Sequence, residues 1–367
     1  MPAGDRVLQI VPHLPGTFDG VGDYALNLAR GLSDEHGIAT TFLVAAQTAI
    51  DSRDGFPVVS GFDAKSPAEF ARDHRHVILH YVNYGYQSRG VPFSLRRFAQ
   101  DLRRELSGHW ATTFHELYAS GPPWKSAFWL RPFQVGIARS LIDLSDACVV
   151  SNLPIEKEIH AYAPGKRIHL LPVMSNFGEP DFAALDATSP RRWVICGGTA
   201  LVERSLMLFE KRFGQIPDPF TPEHLDVVGG RVNVPITAAL DRLKQRAGLS
   251  VHHYPEVSVD LASEVLRRSS FGWIDYFGSG RMWPGMLLKS TAFAALCAHG
   301  VVPVLSHSEE PIVVDGDPAP GPYFLTSQAA QLPALDELAP VRRRYYGWYQ
   351  AHAHSRRAAG LYAEILK

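Results

Sequence analysis

Two consecutive α/β domains, each built on a parallel sheet, are the fold class the chain's patterning predicts. Three observations carry this. Short apolar runs of strand type recur along the chain with helical stretches between them, an alternation that builds parallel sheets covered on both faces. The alternation pauses once, at residues 172–190 (PVMSNFGEPDFAALDATSP), whose irregular, Pro-, Ser- and Asp-rich composition is that of a linker, and then resumes. The length, 367 residues, suits two domains of about 100–200 residues better than one.

The first apolar run, VLQIVP (7–12), leads into a Gly/Pro-rich turn. A stretch follows in which Tyr24, Leu28 and Leu32 recur every four residues, which is helical spacing. Further strands are expected at 40–45, 77–81, 111–115 and 147–151, with helices at 94–106, 129–145 and 154–163. The second series starts with a strand at 193–197. It continues with helix 204–213, strand 224–228, helix 235–246, strand 250–254, helix 258–269, strand 271–276, helix 287–299 and strand 301–306. From Val341 the tail is aromatic and basic, and it is expected to be one helix. The expected organisation is therefore two Rossmann-like domains at 1–178 and 190–340, followed by a C-terminal helix at 341–367.

Composition narrows the function classes. Lys+Arg number 36 and Asp+Glu 37, a net charge of −1. A dedicated nucleic-acid binder would carry a basic excess; a pocket for one small anion needs only a few cations. Cys148, Cys196 and Cys297 lie far apart with no CxxC pair, which suits buried thiols in a reducing compartment. No run of about 20 apolar residues is present, and the start MPAGDRVLQIV lacks the apolar core of a secretory leader. A cytoplasmic protein is expected, with peripheral membrane association left open and no oligomeric state indicated.

Ligands of open α/β sheets bind outside the carboxyl ends of the strands, so segments that follow strands hold the candidate residues, and the cleft between two such sheets is the expected active site. In DGVGDYALNLARGL (19–32), Gly20 and Gly22 let the backbone approach a ligand, and the following helix start suits phosphate. Asp23 lies near that start. In TTFHELYASGPPWKSAFWL (112–130), His115 and Glu116 end a strand and can hydrogen-bond sugar hydroxyls or move a proton; Tyr118 and Trp124 belong to an aromatic loop suited to an acceptor. In LHYVNYGYQSRG (79–90), Tyr81, Tyr84 and Arg89 combine stacking with hydrogen bonding. In ICGGTALVERSL (195–206), two glycines precede a helix bearing Thr199 and Arg204, and an Arg fork matches two diphosphate oxygens. In DYFGSGRMWPGMLLKSTAFAALCAHG (275–300), Tyr276 and Gly278 follow a strand. Lys289, Ser290 and Thr291 stand before an almost purely apolar helix, a combination that suits an anion. Each segment also reads as ordinary loop or helix surface when taken alone. HExxH is absent and no DxD suited to a metal is seen.

In this order the segments resemble the GT-B glycosyltransferases, specifically the retaining nucleotide-sugar-dependent group (glycosyltransferase family 4) that includes glycogen and sucrose-phosphate synthases. GVGDYALNLARGL resembles that family's first glycine loop and helix. TTFHE resembles its strand ending in a histidine that contacts the donor sugar, here His115. DACVVSN resembles the strand before the linker, GGTALVERSL the phosphate loop, and ALCAHGVVPVLS the helix–glycine–strand ending. The resemblance implies metal-independent hexosyl transfer from a nucleotide-diphosphate sugar, with no other cofactor, to a carbohydrate or glycosylated acceptor, with retention of configuration. An inverting reaction would need Asp23 or Glu116 as base. One feature departs from the family. The two Glu residues, seven apart, that hold sugar and ribose are missing: Ala295 or Lys289 falls where the second would be. A non-catalytic nucleotide-sugar or glycan binder of the same fold is the alternative reading.

Overall fold

A computed structural model of the chain describes residues 6–14, 20–119, 121–181, 189–276 and 285–367. Its contacts divide the chain into two units, Met1–Leu171 with Ser355–Lys367, and Pro172–His354. Among the described residues no helix is long and apolar enough to cross a membrane. The three cysteines are buried and unpaired.

The first unit contains strands β1 (Arg6–Val11), β2 (Ala39–Val44), β3 (Ser52–Arg53), β4 (Phe56–Ser60), β5 (His76–Tyr81), β6 (Trp110–Phe114), β7 (Ala147–Val150) and β8 (Arg167–Leu170). Its helices are α1 (Gly20–His36), α2 (Pro67–Asp73), α3 (Asn83–Tyr86), α4 (Phe93–Glu105), α5 (Ser126–Leu144) and α6 (Leu153–Tyr162). The strands lie in the order β3-β4-β2-β1-β5-β6-β7-β8, parallel apart from the β3–β4 pair. From β1 the chain winds to one side through β2, then returns to place β5 on the other. The topological switch point therefore lies between β1 and β5.

In the second unit the strands are β9 (Arg192–Gly197), β10 (His224–Gly229), β11 (Ser250–Tyr254), β12 (Phe271–Ile274), β13 (Val302–Leu305), β14 (Val313–Val314), β15 (Asp317–Pro318), β16 (Tyr323–Leu325) and β17 (Ala330–Gln331). Its helices are α7 (Thr199–Arg212), α8 (Val234–Lys244), α9 (Val259–Arg267), α10 (Thr291–Ala298) and α11 (Leu338–His352). The main sheet runs β11-β10-β9-β12-β13-β16-β17, with only the β16–β17 pair antiparallel. Here the switch point lies between β9 and β12.

Burial explains the unbroken apolar runs. Val7, Leu8, Ile10 and Val11 of β1 are fully buried, as is every residue of β5 but His76, which is nearly so. In the second unit Trp193 stacks on Phe271 at 4.9 Å between ring centres, and Phe209 packs edge-on to Trp273. Helix starts are capped locally: Asn152, Asn233 and Ser258 each accept a hydrogen bond from the backbone N–H three residues on.

The structure departs from the sequence expectation in several places: helices α2 and α3 were not expected, and α10 begins at Thr291 rather than at 287. The short strands β3, β4, β8 and β14 to β17 lie in segments where no strand was expected. Helix α7 begins at Thr199, five residues earlier than expected. The tail forms two helices: α11, and α12 (Ser355–Ile365), which belongs to the first unit. Helix α12 packs against α1 where Gly31 permits close approach, since a Cβ there would stand 3.0 Å from that of Ala359. Arg356 adds a 3.1 Å bond to Glu35.

Candidate functional site

The carboxyl ends of β1, β5 and β6 bring together polar side chains that the apolar runs carry inward. His80, on β5, is fully buried. Its Nε2 lies 2.8 Å from the Gln9 Oε1 of β1, and its Nδ1 lies 3.4 Å from Nε2 of His115, just past β6. The Gln9 amide nitrogen is 3.5 Å from the Thr40 hydroxyl, which fixes the carbonyl oxygen toward His80. A carbonyl oxygen only accepts, so His80 donates from Nε2 and accepts at Nδ1, and His115 donates its Nε2 proton inward. Burial first, and His115 second, hold His80 well below the usual histidine range, so the ring is neutral. Tyr24 of α1 meets both imidazoles edge-on, at 5.8 and 5.3 Å. Its hydroxyl bonds that of Tyr362 on α12, which in turn bonds Thr113 of β6. Burial pushes the Tyr24 hydroxyl well above its ordinary value.

In the second unit β9 ends in Gly197 at φ +134°, where a Cβ would stand 2.8 Å from Leu201. Its register partner Gly229 would push a Cβ to 2.5 Å from the Gly197 carbonyl oxygen. Only glycines let the two strand ends lie this close. Gly198 precedes α7 with open space where its Cβ would be. Helix α10 starts beside the same strand end: the Cys196 thiol lies 3.9 Å from the Ala292 carbonyl. The helices following β9 and β12 thus begin at the switch point, and neither has an acidic residue in its first turn. By contrast, α1 carries Asp23 there.

The other sequence-derived candidates fall as follows. Arg204 is half-buried on α7; one terminal nitrogen donates to the Tyr276 carbonyl at 2.7 Å, and its Nε is buried with no partner. Thr199 accepts from the backbone N–H of Arg231 at 3.0 Å, tying the turn after β10 to the start of α7. Lys289 is half-buried, and no hydrogen bond or ion pair to it occurs among the described residues. Ser290 is buried and caps α10 by accepting from the Phe293 N–H, whereas Thr291 is the more exposed hydroxyl. Gly22 is buried and Gly20 exposed in the first turn of α1. Gly278 lies outside the described residues. Glu116 is exposed.

Among the acceptor candidates, Tyr81 needs correction: it is fully buried in the core, edge-on to Phe114 at 5.6 Å. Both faces of a central parallel strand are covered, so the last residue of β5 turns inward with the rest. Tyr84 is 39% exposed, and its hydroxyl accepts from Gln134. Gln134 also donates to the Arg89 carbonyl and accepts from the Ala119 N–H. Tyr118 bonds Glu158 and lies under the Arg131 guanidinium at 5.2 Å. Trp124 is 82% exposed.

Sequence reading missed a polar cluster after β12 and β13. The Glu309 side chain is only 2% exposed; one oxygen accepts from the Gly285 N–H at 3.3 Å, and the other has no partner and lies 3.9 Å from the equally unpartnered Nε2 of His307. Burial pushes the Glu309 carboxyl up to about 7 and lowers His307. Ser306 donates to Asp275 at 2.7 Å. The only available signal was position: all four residues follow the ends of parallel strands. Among the described residues no three His, Cys, Asp or Glu gather at metal-binding distance.

No protein-family model matches the chain, and no curated protein sequence matches it. Solved structures do. The chain is similar to an α-glucosyltransferase in complex with UDP-glucose and DNA containing an abasic site, at 12% identity and TM-score 0.59 over 99% of both chains. It is similar to an E. coli structure described as trehalose-6-phosphate bound with UDP-2-fluoro glucose, at 10% identity and 0.60, again over 99% of both. A putative UDP-N-acetylglucosamine 2-epimerase from Listeria monocytogenes follows at 12% and 0.50, over 99% of this chain and 96% of that one. The chain has the GT-B fold, with two Rossmann-like units. That fold carries transferases and an epimerase alike, so the reaction has to be argued from side chains.

Proposed function

We propose that the chain is a glycosyltransferase that moves a hexosyl group from a nucleoside-diphosphate sugar to an acceptor hydroxyl, with retention. The observation that carries this reading is the start of α7 and α10 at one switch point, with Arg204, Lys289 and Thr291 beside it and no acid in either first turn. Backbone N–H groups, the positive helix ends and two cations suit a diphosphate. Two fold neighbours with UDP-sugars bound are consistent with that ligand.

In this mechanism the bond between the anomeric carbon and the diphosphate oxygen breaks as the acceptor oxygen attacks the carbon. The acceptor proton passes to the departing phosphate oxygen, and the nucleoside diphosphate leaves. Arg204 and Lys289 stabilise the charge that grows on that phosphate, usually the largest catalytic effect. His115 orients the sugar, and Glu309 takes the hydroxyl contacts for which the α10 segment supplies no carboxylate. Tyr84, Arg89, Tyr118 and Trp124 serve the acceptor.

Thermal melting with a panel of nucleoside diphosphates tests the donor site. The cognate one should stabilise the protein by about 2.7 kcal/mol at a hundredfold excess over Kd; no shift with any of them overturns the reading. Release of nucleoside diphosphate from the cognate donor then separates an enzyme from a binder. The absence of carboxylates at Lys289 and Ala295 favours the binder as second reading, and stabilisation without turnover would select it.

A further inference from the structure

The first unit carries an exposed aromatic crest that its fold does not use. Trp124 is 82% exposed, Trp129 67%, Phe133 55%, Phe93 52% and Phe128 42%. The crest is continuous. Phe128 meets Trp129 at 5.2 Å, Trp129 and Phe133 stand one helical turn apart on α5, and Phe133 meets Phe93 of α4 at 6.2 Å. It is also held in place: the Trp129 indole donates to the Pro123 carbonyl at 2.8 Å, and Gln134, midway along α5, donates to the Arg89 carbonyl. Large apolar side chains this exposed and adjacent mark an interaction surface rather than scatter.

Charge identifies the partner. Residues 117–142 contain Lys125, Arg131 and Arg139 but no Asp or Glu, and residues 82–100 contain Arg89, Arg96 and Arg97 but no Asp or Glu. Arg97 is paired with Asp101, and Arg139 lies on Tyr162, whose hydroxyl bonds Asp143, so the cation at the aromatics themselves is Lys125, exposed beside Trp124. Lys125 adjoins Trp124 and stands one helical turn before Trp129, whereas the Arg131 guanidinium lies over the Tyr118 ring. Tryptophan settles at the boundary between lipid headgroups and acyl chains, and neighbouring Lys and Arg are drawn to anionic headgroups. We propose that this crest docks the protein on an anionic lipid surface, with Trp129, Phe133 and Phe128 entering the headgroup layer and Lys125 meeting the lipid charge. The proposal does not depend on the transferase reading.

Co-sedimentation of the full chain with vesicles tests it. Vesicles of equal parts phosphatidylcholine and phosphatidylglycerol should carry the protein down at low salt, with a blue shift of tryptophan emission. Phosphatidylcholine alone should carry down little. The double substitution Trp129→Ala with Phe133→Ala should lower binding at least about tenfold while circular dichroism stays unchanged; Lys125→Glu should also lower it and weaken the salt dependence. Absence of sedimentation with anionic vesicles overturns the proposal. So does binding by the aromatic variant equal to wild type. Concentration-dependent self-association of the wild type without vesicle binding, abolished by the same variant, would assign the crest to a second copy of the chain and also overturn it.

Discussion

Two histidine clusters sit at the carboxyl ends of the two parallel sheets, and they are finished to different degrees. In the first unit Gln9, His80 and His115 form a hydrogen-bonded chain buttressed by Tyr24 and Tyr362. In the second, His307 Nε2 and Glu309 Oε2 face each other across 3.9 Å with no partner for either, and Arg204 has a buried Nε with none. Leaving a buried polar group unpaired costs about 1–3 kcal/mol. The first cluster has its hydrogen bonds made within the protein. The other holds back hydrogen-bonding capacity, as a site completed by a polar ligand would.

The sharpest way to break that comparison is to remove the cations of the second unit. Arg204→Ala and Lys289→Ala should each lower turnover on the order of 10²–10³-fold, the usual effect of deleting one group that stabilises developing charge. The melting temperature without ligand should stay near wild type, because Lys289 holds nothing among the described residues and Arg204 makes one bond to a backbone carbonyl. Rates of nucleoside diphosphate release check this. Unchanged turnover in both variants would remove the diphosphate from this end of the sheet.

A second test measures what the unpaired carboxyl costs. Glu309 is raised from an ordinary 4.5 to about 7, so between those values the native protein holds a proton that the unfolded chain has lost. Stability then falls as pH rises through this window. Glu309→Gln cannot ionise, so its stability should exceed wild type by up to about 3.5 kcal/mol above pH 7 and converge with it below pH 4.5, a tenfold change in proton affinity being worth about 1.4 kcal/mol. His307, lowered by burial, contributes the opposite slope below its ordinary value in both proteins. Denaturant titrations at several pH values read the difference. Parallel curves would mean that the carboxyl is solvated or paired in solution.

The same contrast governs what could be read from sequence. Strands at 7–12, 77–81 and 147–151 were legible because both faces of a central parallel strand are apolar, and the glycine pair at 197–198 marks a strand end that must turn tightly. Edge strands such as Arg167–Leu170 gave no such signal, since pairing on one side tolerates mixed composition. His115 was legible because it closes an apolar run. Its partners Gln9 and His80 were not, because each interrupts a buried strand from the middle and looks like a break in pattern. Glu309 was hidden for a different reason: it lies four residues beyond β13 and reaches back to Gly285, a contact created only by the fold. Tyr81 failed in the opposite direction, its residue type suggesting a ligand contact while its strand position dictated burial.

The smallest expected effect probes whether the first cluster positions a proton or merely packs. Gln9→Met keeps the volume of the buried side chain but deletes the oxygen that accepts from His80 Nε2. The His80 proton is then free to move to Nδ1, where it would oppose the proton His115 now donates, so the His115 tautomer changes with it. Tyr362→Phe, in contrast, removes the hydroxyl shared by Thr113 and Tyr24 and leaves the Gln9–His80–His115 chain intact. Each loses two buried hydrogen bonds, at about 1 kcal/mol apiece, so denaturant midpoints should fall by similar amounts. Only Gln9→Met should move the pH dependence of kcat/KM, and it should lower the rate near neutral pH by about tenfold or less. If both variants keep the wild-type pH profile, the ladder is packing alone, and the difference between the two clusters is one of burial rather than of preorganised protons.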